Sequence, residues 1–234
     1  MKAYYKSYVG LVREQNEDTV LVDEGRGIYI LADGMGGHQA GEVASRLAAE
    51  TLRDALAEET PSAEALQAGF RKANSAVFDQ QLDDPALHGM GTTMTALWDH
   101  GDHVLLGHVG DSRAYLFHQG RLRQISEDHS VVGEMVRAGM ITEDEAFVHP
   151  YRNVITRAIG TNHAVHADTI DILKAEGQKW LLCSDGLTDL VRDPEIEETL
   201  RQLSGQAAVD RLVELALLNG GKDNVSVLLV EVGA

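Results

Sequence analysis

The sequence predicts an α+β fold of packed antiparallel sheets with helices on their outer faces. Three observations carry this. Short apolar runs of strand character outnumber helical patterns. The helical patterns come as a pair after the first strands and as a group late in the chain. Strands and helices do not alternate in the regular βαβα order of a parallel α/β fold.

The elements follow in order. Ile28-Tyr29-Ile30-Leu31 is a short apolar run typical of a buried strand, and it ends at Asp33 and a glycine-rich turn. From Gly41 to Glu59, Val43, Leu47, Leu52 and Leu56 recur at near-helical spacing with charges between them. Pro61 can open a second helix, whose apolar face is Leu66, Phe70, Ala73 and Val77. The period then changes, and Thr92 to Trp98, His103 to Val109 and Arg113 to Phe117 read as strands. His118-Gln119-Gly120 turns the last of these into Arg121 to Ile125 as a hairpin. Val131 to Arg137 reads as a short helix. Residues 139 to 153 are polar and irregular, a surface segment. Ile170 to Leu173 and Lys179 to Cys183 are further strands. Ala207 to Leu218 is an amphipathic helix stopped by Gly220-Gly221, and Val225 to Val230 closes as an apolar strand.

Composition narrows the class. Hydrophobic residues make up 44% and charged residues 24%, too apolar a mixture for a disordered chain. A net charge of -17 repels nucleic acid and anionic lipid, so neither is an expected partner. Cys183 is the sole cysteine, which rules out an internal disulfide and suits a reducing, cytoplasmic setting. The N-terminal residues lack the apolar core of a signal peptide, and no apolar run reaches the length of a membrane span. No repeat or Pro/Ser-rich linker divides the chain, so residues 1–234 are expected to form one domain, as a monomer.

Four aspartates share one setting. Asp33 follows Ile30-Leu31-Ala32 and precedes Gly34. Asp111 follows Val109-Gly110. Asp185 follows Leu182-Cys183-Ser184 and precedes Gly186. Asp223 lies in Gly220-Gly221-Lys222-Asp223-Asn224, just before Val225. Each stands at the end or start of an apolar strand, where a carboxylate can be held rigidly. One Asp-Gly pair is most simply a turn. Four carboxylates in such positions favour another reading, because a carboxylate beside a core is costly unless it is paired or binds a cation. Oxygen ligands suit hard cations such as Mg²⁺ and Mn²⁺, and no Cys/His spacing for zinc is present. The glycines let backbone approach closely, so the Gly34 carbonyl could join the ligands. Arg13, close to Glu17 and Asp18, offers a planar fork for phosphate, although the commoner fate of an arginine is a surface ion pair.

Together these segments resemble the PPM family, the metal-dependent protein phosphatase 2C class, in its compact bacterial form. The matching pieces run in order: Arg13-x-x-Asn16-Glu17-Asp18, Asp33-Gly34-Met35-Gly36-Gly37-His38, Gly91-Thr92-Thr93, Gly110-Asp111-Ser112-Arg113-Ala114-Tyr115, Asp128-His129-Ser130, Thr156-Arg157-Ala158-Ile159-Gly160, Ser184-Asp185-Gly186-Leu187 and Gly221-Lys222-Asp223-Asn224. The resemblance implies an α-β-β-α sandwich of two antiparallel sheets flanked by helices. It implies hydrolysis of phosphoserine and phosphothreonine by a metal-activated water at a two-metal Mn²⁺ or Mg²⁺ site. In that scheme Asp33 bridges the two ions, Gly34 adds its carbonyl, and Asp185 and Asp223 bind the second ion. Asp111, with Asp185, matches a third and weaker site of bacterial relatives. Glu17 and Asp18 hold metal-bound waters, with Asn224 beside them outside the ligand layer. Arg13 clamps the substrate phosphate. Phosphorylated Ser/Thr proteins are the implied substrates, and a cognate Ser/Thr kinase the implied opposing partner. Residues 139 to 153 match a flap beside the active site in such relatives.

One position departs from many eukaryotic relatives, which carry a histidine right after the Asp-Gly as a proposed general acid. Here it is Met35, which has no proton to give. His38, three residues further on, is a candidate donor, with a loop or helix-start residue as its equally weighted plain reading. Rival chemistries fail on spacing. A cysteine phosphatase needs arginine six residues past its nucleophile, where Asp189 stands; an aspartyl-phosphate enzyme needs an acid where Met35 stands. Gly221-Lys222 lacks the Ser/Thr and upstream glycine of a nucleotide loop. A non-catalytic phosphoprotein-binding module would have shed metal aspartates or the arginine, and Arg13, Asp33, Asp185 and Asp223 are all present.

Overall fold

The structure is a computed structural model and describes residues 1–36 and 40–233. Two antiparallel sheets pack face to face between two helical layers. One sheet has the order β1 (Lys2–Tyr8), β11 (Val225–Glu231), β10 (Lys179–Cys183), β7 (Arg113–His118), β8 (Arg121–Gln124). The other runs β2 (Asp18–Asp23), β3 (Ile28–Met35), β5 (Met94–His100), β6 (His103–Val109), β9 (Asp168–Leu173), with the short β4 (Gly91–Thr92) beside the end of β3. This is the α-β-β-α sandwich expected from the sequence.

The apolar runs explain the layering. Successive side chains of a strand face opposite ways, so a run buried throughout needs partners on both faces. In β3, Ile28 and Ile30 pack with Ala44 and Leu52 of α1 (Ala40–Leu56) and Phe70 of α2 (Ala63–Asp83). Tyr29 and Leu31 point the other way, into a core shared with Leu116, Trp180, Leu182 and Leu228 of the opposite sheet. That opposite sheet repeats the rule. Leu181, Cys183, Val227 and Leu229 face Val209, Leu212 and Val213 of α7 (Gly205–Leu218) and Ile196 of α6 (Asp193–Gln202). Cys183 is fully buried, and burial lifts its thiol to about 12, so it is a small apolar filler.

Several expectations shift at their edges. The strand expected over Thr92–Trp98 is split into β4 and β5, with Thr93 between them. Ser62 caps α2 by accepting from the Ala65 amide at 3.1 Å, one residue past Pro61. The 118–120 turn closes with Gln119 and Gly120 at positive φ (52° and 77°), the two-residue geometry that matches strand twist. Strands β1 and β2 were not expected. The first is an edge strand with a largely exposed burial pattern, and the second, although it contains Val20-Leu21-Val22, is half-buried throughout and bounded by Asp18 and Asp23. Inside the supposedly irregular 139–153 segment, α4 (Glu143–Phe147) forms behind a Thr142/Glu145 capping box and follows α3 (Val131–Arg137). Among the described residues, no helix is long and apolar enough to cross a membrane.

Candidate metal centre

Five strand ends meet at one rim of the sandwich, and they carry the acids picked out in the sequence. Asp33 lies near the end of β3 and faces Asp18, the first residue of β2, across the ladder. Asp111 follows β6, Asp185 follows β10 through Ser184, and Asp223 precedes β11 through Asn224. Asp33, Asp111, Asp185 and Asp223 line one pocket of about 240 Å³, together with Arg13, Glu17, Gly34, Met35, Thr93 and Asn153. The structure therefore gathers Arg13, Glu17, Asp33, Gly34, Asp111, Asp185 and Asp223 in one place, with Asp18 and Asn224 directly behind. His38 lies outside the described residues.

Close backbone packing sets these positions. A side chain on Gly34 would put its first carbon 2.2 Å from the Gly41 carbonyl oxygen and 2.5 Å from that of Glu17. One on Gly186 would lie 1.9 Å from the Asn224 carbonyl oxygen. The Asp-Gly pairs are thus points where chain meets chain, and the turn reading alone does not account for them. Asn224 ties the Arg13–Asp18 segment down. Its Oδ1 accepts from the Glu17 amide at 2.8 Å, and its Nδ2 donates to the carbonyls of Val9 (3.0 Å) and Gln15 (2.9 Å).

Sequence reasoning gave hydroxyl groups too little weight. The Asp33 amide donates to Thr93 Oγ1 at 3.0 Å, and the Asp33 carbonyl accepts from Thr92 Oγ1 at 2.8 Å and the Thr93 amide at 2.9 Å. Thr93 Oγ1 also meets Ser112 Oγ at 2.8 Å, which joins the Asp33 strand to the Asp111 loop. Ser184 Oγ donates to Asp18 Oδ2 at 2.9 Å and accepts from the Ser226 amide at 3.0 Å, linking the two sheets. Small hydroxyl residues directly beside the aspartates were the available signal.

The electrostatics are those of crowded acids. Burial, followed by the charge of Asp18, holds the Asp33 carboxyl well above the usual carboxylate range. Burial and then Asp111 do the same for Asp185. Asp111 is pushed to about 7 by burial and the neighbouring Asp128, and Asp18 to about 6, mainly by burial. One oxygen of Asp18, Oδ1, is buried without a hydrogen-bond partner. Arg13, the one Lys or Arg among the described lining residues, bonds Asp223 Oδ2 at 2.8 Å, and that bond is the first cause of its raised pKa. So Arg13 is in an ion pair, and its partner is a predicted metal ligand. Asp33, Asp111 and Asp185 make no ion pair with Lys, Arg or His among the described residues, in contrast to Asp128, which Arg113 grips with Nε at 3.0 Å and Nη2 at 2.7 Å.

This donor set fits divalent cations that keep much of their water. It is all oxygen, it is mutually repulsive, and it surrounds an open pocket. Among the described residues no three His, Cys, Asp or Glu side chains close around a single point. An open, all-oxygen set suits ions such as Mg²⁺, which take one or two carboxylates each and fill their remaining positions with water.

A four-layer sandwich whose rim pocket joins four aspartates with one arginine is a site able to hold divalent cations and to bind an anion beside them. Comparison with known proteins assigns the family. A model of the family described as Protein phosphatase 2C matches residues 11–217, and the chain belongs to that family. It is 45% identical over 227 residues to the serine/threonine protein phosphatase PstP of Mycobacterium tuberculosis, an alignment covering 95% of this chain and 43% of that protein, so it spans less than half of that relative's length. It is 41% identical over 243 residues to the serine/threonine phosphatase Stp of Listeria monocytogenes, covering 99% of this chain and 96% of that one. The solved catalytic domain of PstP in complex with two manganese ions superposes with a TM-score of 0.90 at 41% identity, covering 100% of this chain and 98% of that one.

Proposed function

We propose that this chain is a metal-dependent protein phosphatase that hydrolyses phosphoserine and phosphothreonine. The observation that carries the reading is the meeting of Asp33, Asp111, Asp185 and Asp223 with Arg13 in one pocket. It is supported by the family assignment and by the two manganese ions in the PstP catalytic domain.

The residues divide the work. Asp33, with the Gly34 carbonyl, Asp185 and Asp223, would hold two Mn²⁺ or Mg²⁺ ions, and Asp111 with Asp185 a third. The ions supply charge neutralisation at the phosphoryl group and activation of water at neutral pH. Arg13 binds the phosphoryl oxygens, and its guanidinium is already on the pocket wall, held by Asp223. Glu17, on the pocket wall, and Asp18, buried behind it, would accept hydrogen bonds from the ions' bound water. The unpartnered Asp18 Oδ1 is an acceptor ready for that role. Thr93 and Ser112 fix the backbone that carries Asp33, and Ser184 fixes the Asp18 carboxylate, so that little reorganisation is left for the reaction. Met35 lines the pocket without a proton to give, so protonation of the leaving serine falls to His38 or to water. Residues 1–234 act as one catalytic domain, monomeric and cytoplasmic, opposing a Ser/Thr kinase on phosphorylated protein substrates.

The test is hydrolysis of p-nitrophenyl phosphate and of a phosphothreonine peptide in Mn²⁺. Activity toward both, abolished by EDTA and reduced at least about a thousandfold in Asp33→Asn, is expected. Near-normal turnover by Asp33→Asn, or activity that survives EDTA, would sink the assignment.

A further inference from the structure

We infer that Asn153 is a second phosphoryl-binding residue, lining the same pocket as Arg13. This rests on the phosphatase reading above and names a group that the reading leaves without a role.

A phosphoryl group entering this pocket meets mostly acceptors. Among the described lining residues, only Arg13 and Asn153 carry side-chain N–H donors. Thr93 has a hydroxyl, but it is already shared between the Asp33 amide and Ser112. Arg13 is engaged by Asp223 on one side. The Asn153 side chain is exposed and makes no hydrogen bond among the described residues, although it lines a pocket full of carboxylates. An amide left free beside such acceptors is available to an incoming anion.

Its backbone is not free. Immediately before it, Arg152 Nε reaches Asp189 Oδ2 at 3.4 Å, on the residue that follows α5 (Asp185–Thr188). Immediately after it, the Val154 carbonyl accepts from the Val131 amide at 2.9 Å, and Ile155 bridges to Ser130. The Thr156 amide then donates to the His129 carbonyl at 2.7 Å. Asn153 thus projects from a short span anchored at both ends: by an ion pair to the segment bearing Asp185, and by a ladder to the segment after Asp128. A donor held this way loses little freedom on binding, which favours a specific contact.

The experiment compares wild type, Asn153→Ala and Asn153→Gln in Mn²⁺. It reads KM and kcat for p-nitrophenyl phosphate and for a phosphothreonine peptide, the inhibition constant of inorganic phosphate, Mn²⁺ affinity by calorimetry, and Tm. If Asn153 donates to the phosphoryl group, Asn153→Ala raises both KM values and the phosphate inhibition constant together. The expected size is roughly tenfold, that of a hydrogen bond to a charged group. Mn²⁺ affinity and Tm stay at wild-type values, and Asn153→Gln recovers part of the loss. An unchanged phosphate inhibition constant overturns the proposal. So does a rise confined to the peptide KM, which would place the amide on the peptide chain, or a defect confined to Mn²⁺ affinity. A wild-type chain with no activity would refute the phosphatase reading itself, a different result from an active wild type indifferent to Asn153→Ala.

Discussion

Replacing Asp18 by Asn should stabilise the metal-free protein at neutral pH, although Asp18 belongs to the candidate site. In the fold its carboxyl is raised from 3.8 to about 6, first by burial, against the hydrogen bond from Ser184 that favours the charge. A group whose folded pKa lies above its unfolded value binds protons better when folded, so stability falls as pH rises between the two values. The window is therefore pH 4 to 6, and the full penalty is present above it. About two pH units at about 1.4 kcal/mol each give roughly 3 kcal/mol as an upper figure. For a chain of this size that is about 6–12 °C in Tm. Thermal unfolding in EDTA from pH 4 to 7.5 tests it: Asp18→Asn should melt higher at pH 7.5, and the gap should close toward pH 4. A variant less stable than wild type at pH 7.5, or a gap that widens on acidification, would refute the reasoning.

Two further outcomes test how the pocket is held. Arg13→Ala should raise KM for phosphopeptide by about tenfold to a hundredfold, since it removes a charge-assisted contact to phosphate. It should leave Tm nearly unchanged, because its ion pair with Asp223 is half-exposed (Arg13 side chain 53% accessible); steady-state kinetics and a melting curve read both. Thr93→Val should destabilise the fold by about 1–3 kcal/mol, because it leaves the Asp33 amide and the Ser112 hydroxyl without their partner. It should also lower kcat more than it raises KM, a split visible in the same kinetics.

The layers were legible in the sequence, and so were the corners of the pocket. Runs such as Ile28–Leu31 and Lys179–Cys183 are apolar on both faces, so they announced sheets sandwiched between other layers. The aspartates were legible because glycine and an apolar strand flank them. The edge strand β1 was not, since Lys2-Ala3-Tyr4-Tyr5-Lys6-Ser7-Tyr8 leaves Tyr5 and Tyr8 53% and 40% exposed and carries no buried run. Its place is set by pairing with β11, a partner more than 200 positions away. Asn153 was hidden for a similar reason. Nothing local marks it, and its access to the pocket depends on anchors at Asp189 and Val131 that only the fold brings near. Likewise the Arg13–Asp223 pair joins residues 210 positions apart.

These long-range contacts bear on why the acids tolerate one another. Burial of Asp18, Asp33, Asp111 and Asp185 opposes folding, as their raised pKa values record. A sequence selected for stability alone would replace some of them or bring a basic partner to each. The fold does this elsewhere: Arg113 neutralises Asp128, and Lys174 neutralises Asp99 at 2.6 Å. Among the described residues the pocket wall carries one arginine, Arg13, paired with Asp223, while hydroxyls hold the backbone of Asp33 and the carboxylate of Asp18. Rigid, unneutralised acids are a poor way to stabilise a protein and a good way to bind cations, because the burial and mutual repulsion that raise each pKa are offset when a divalent ion enters. The same relief predicts that Mn²⁺ raises Tm of the wild type more than that of Asp18→Asn, which has already lost part of the repulsion.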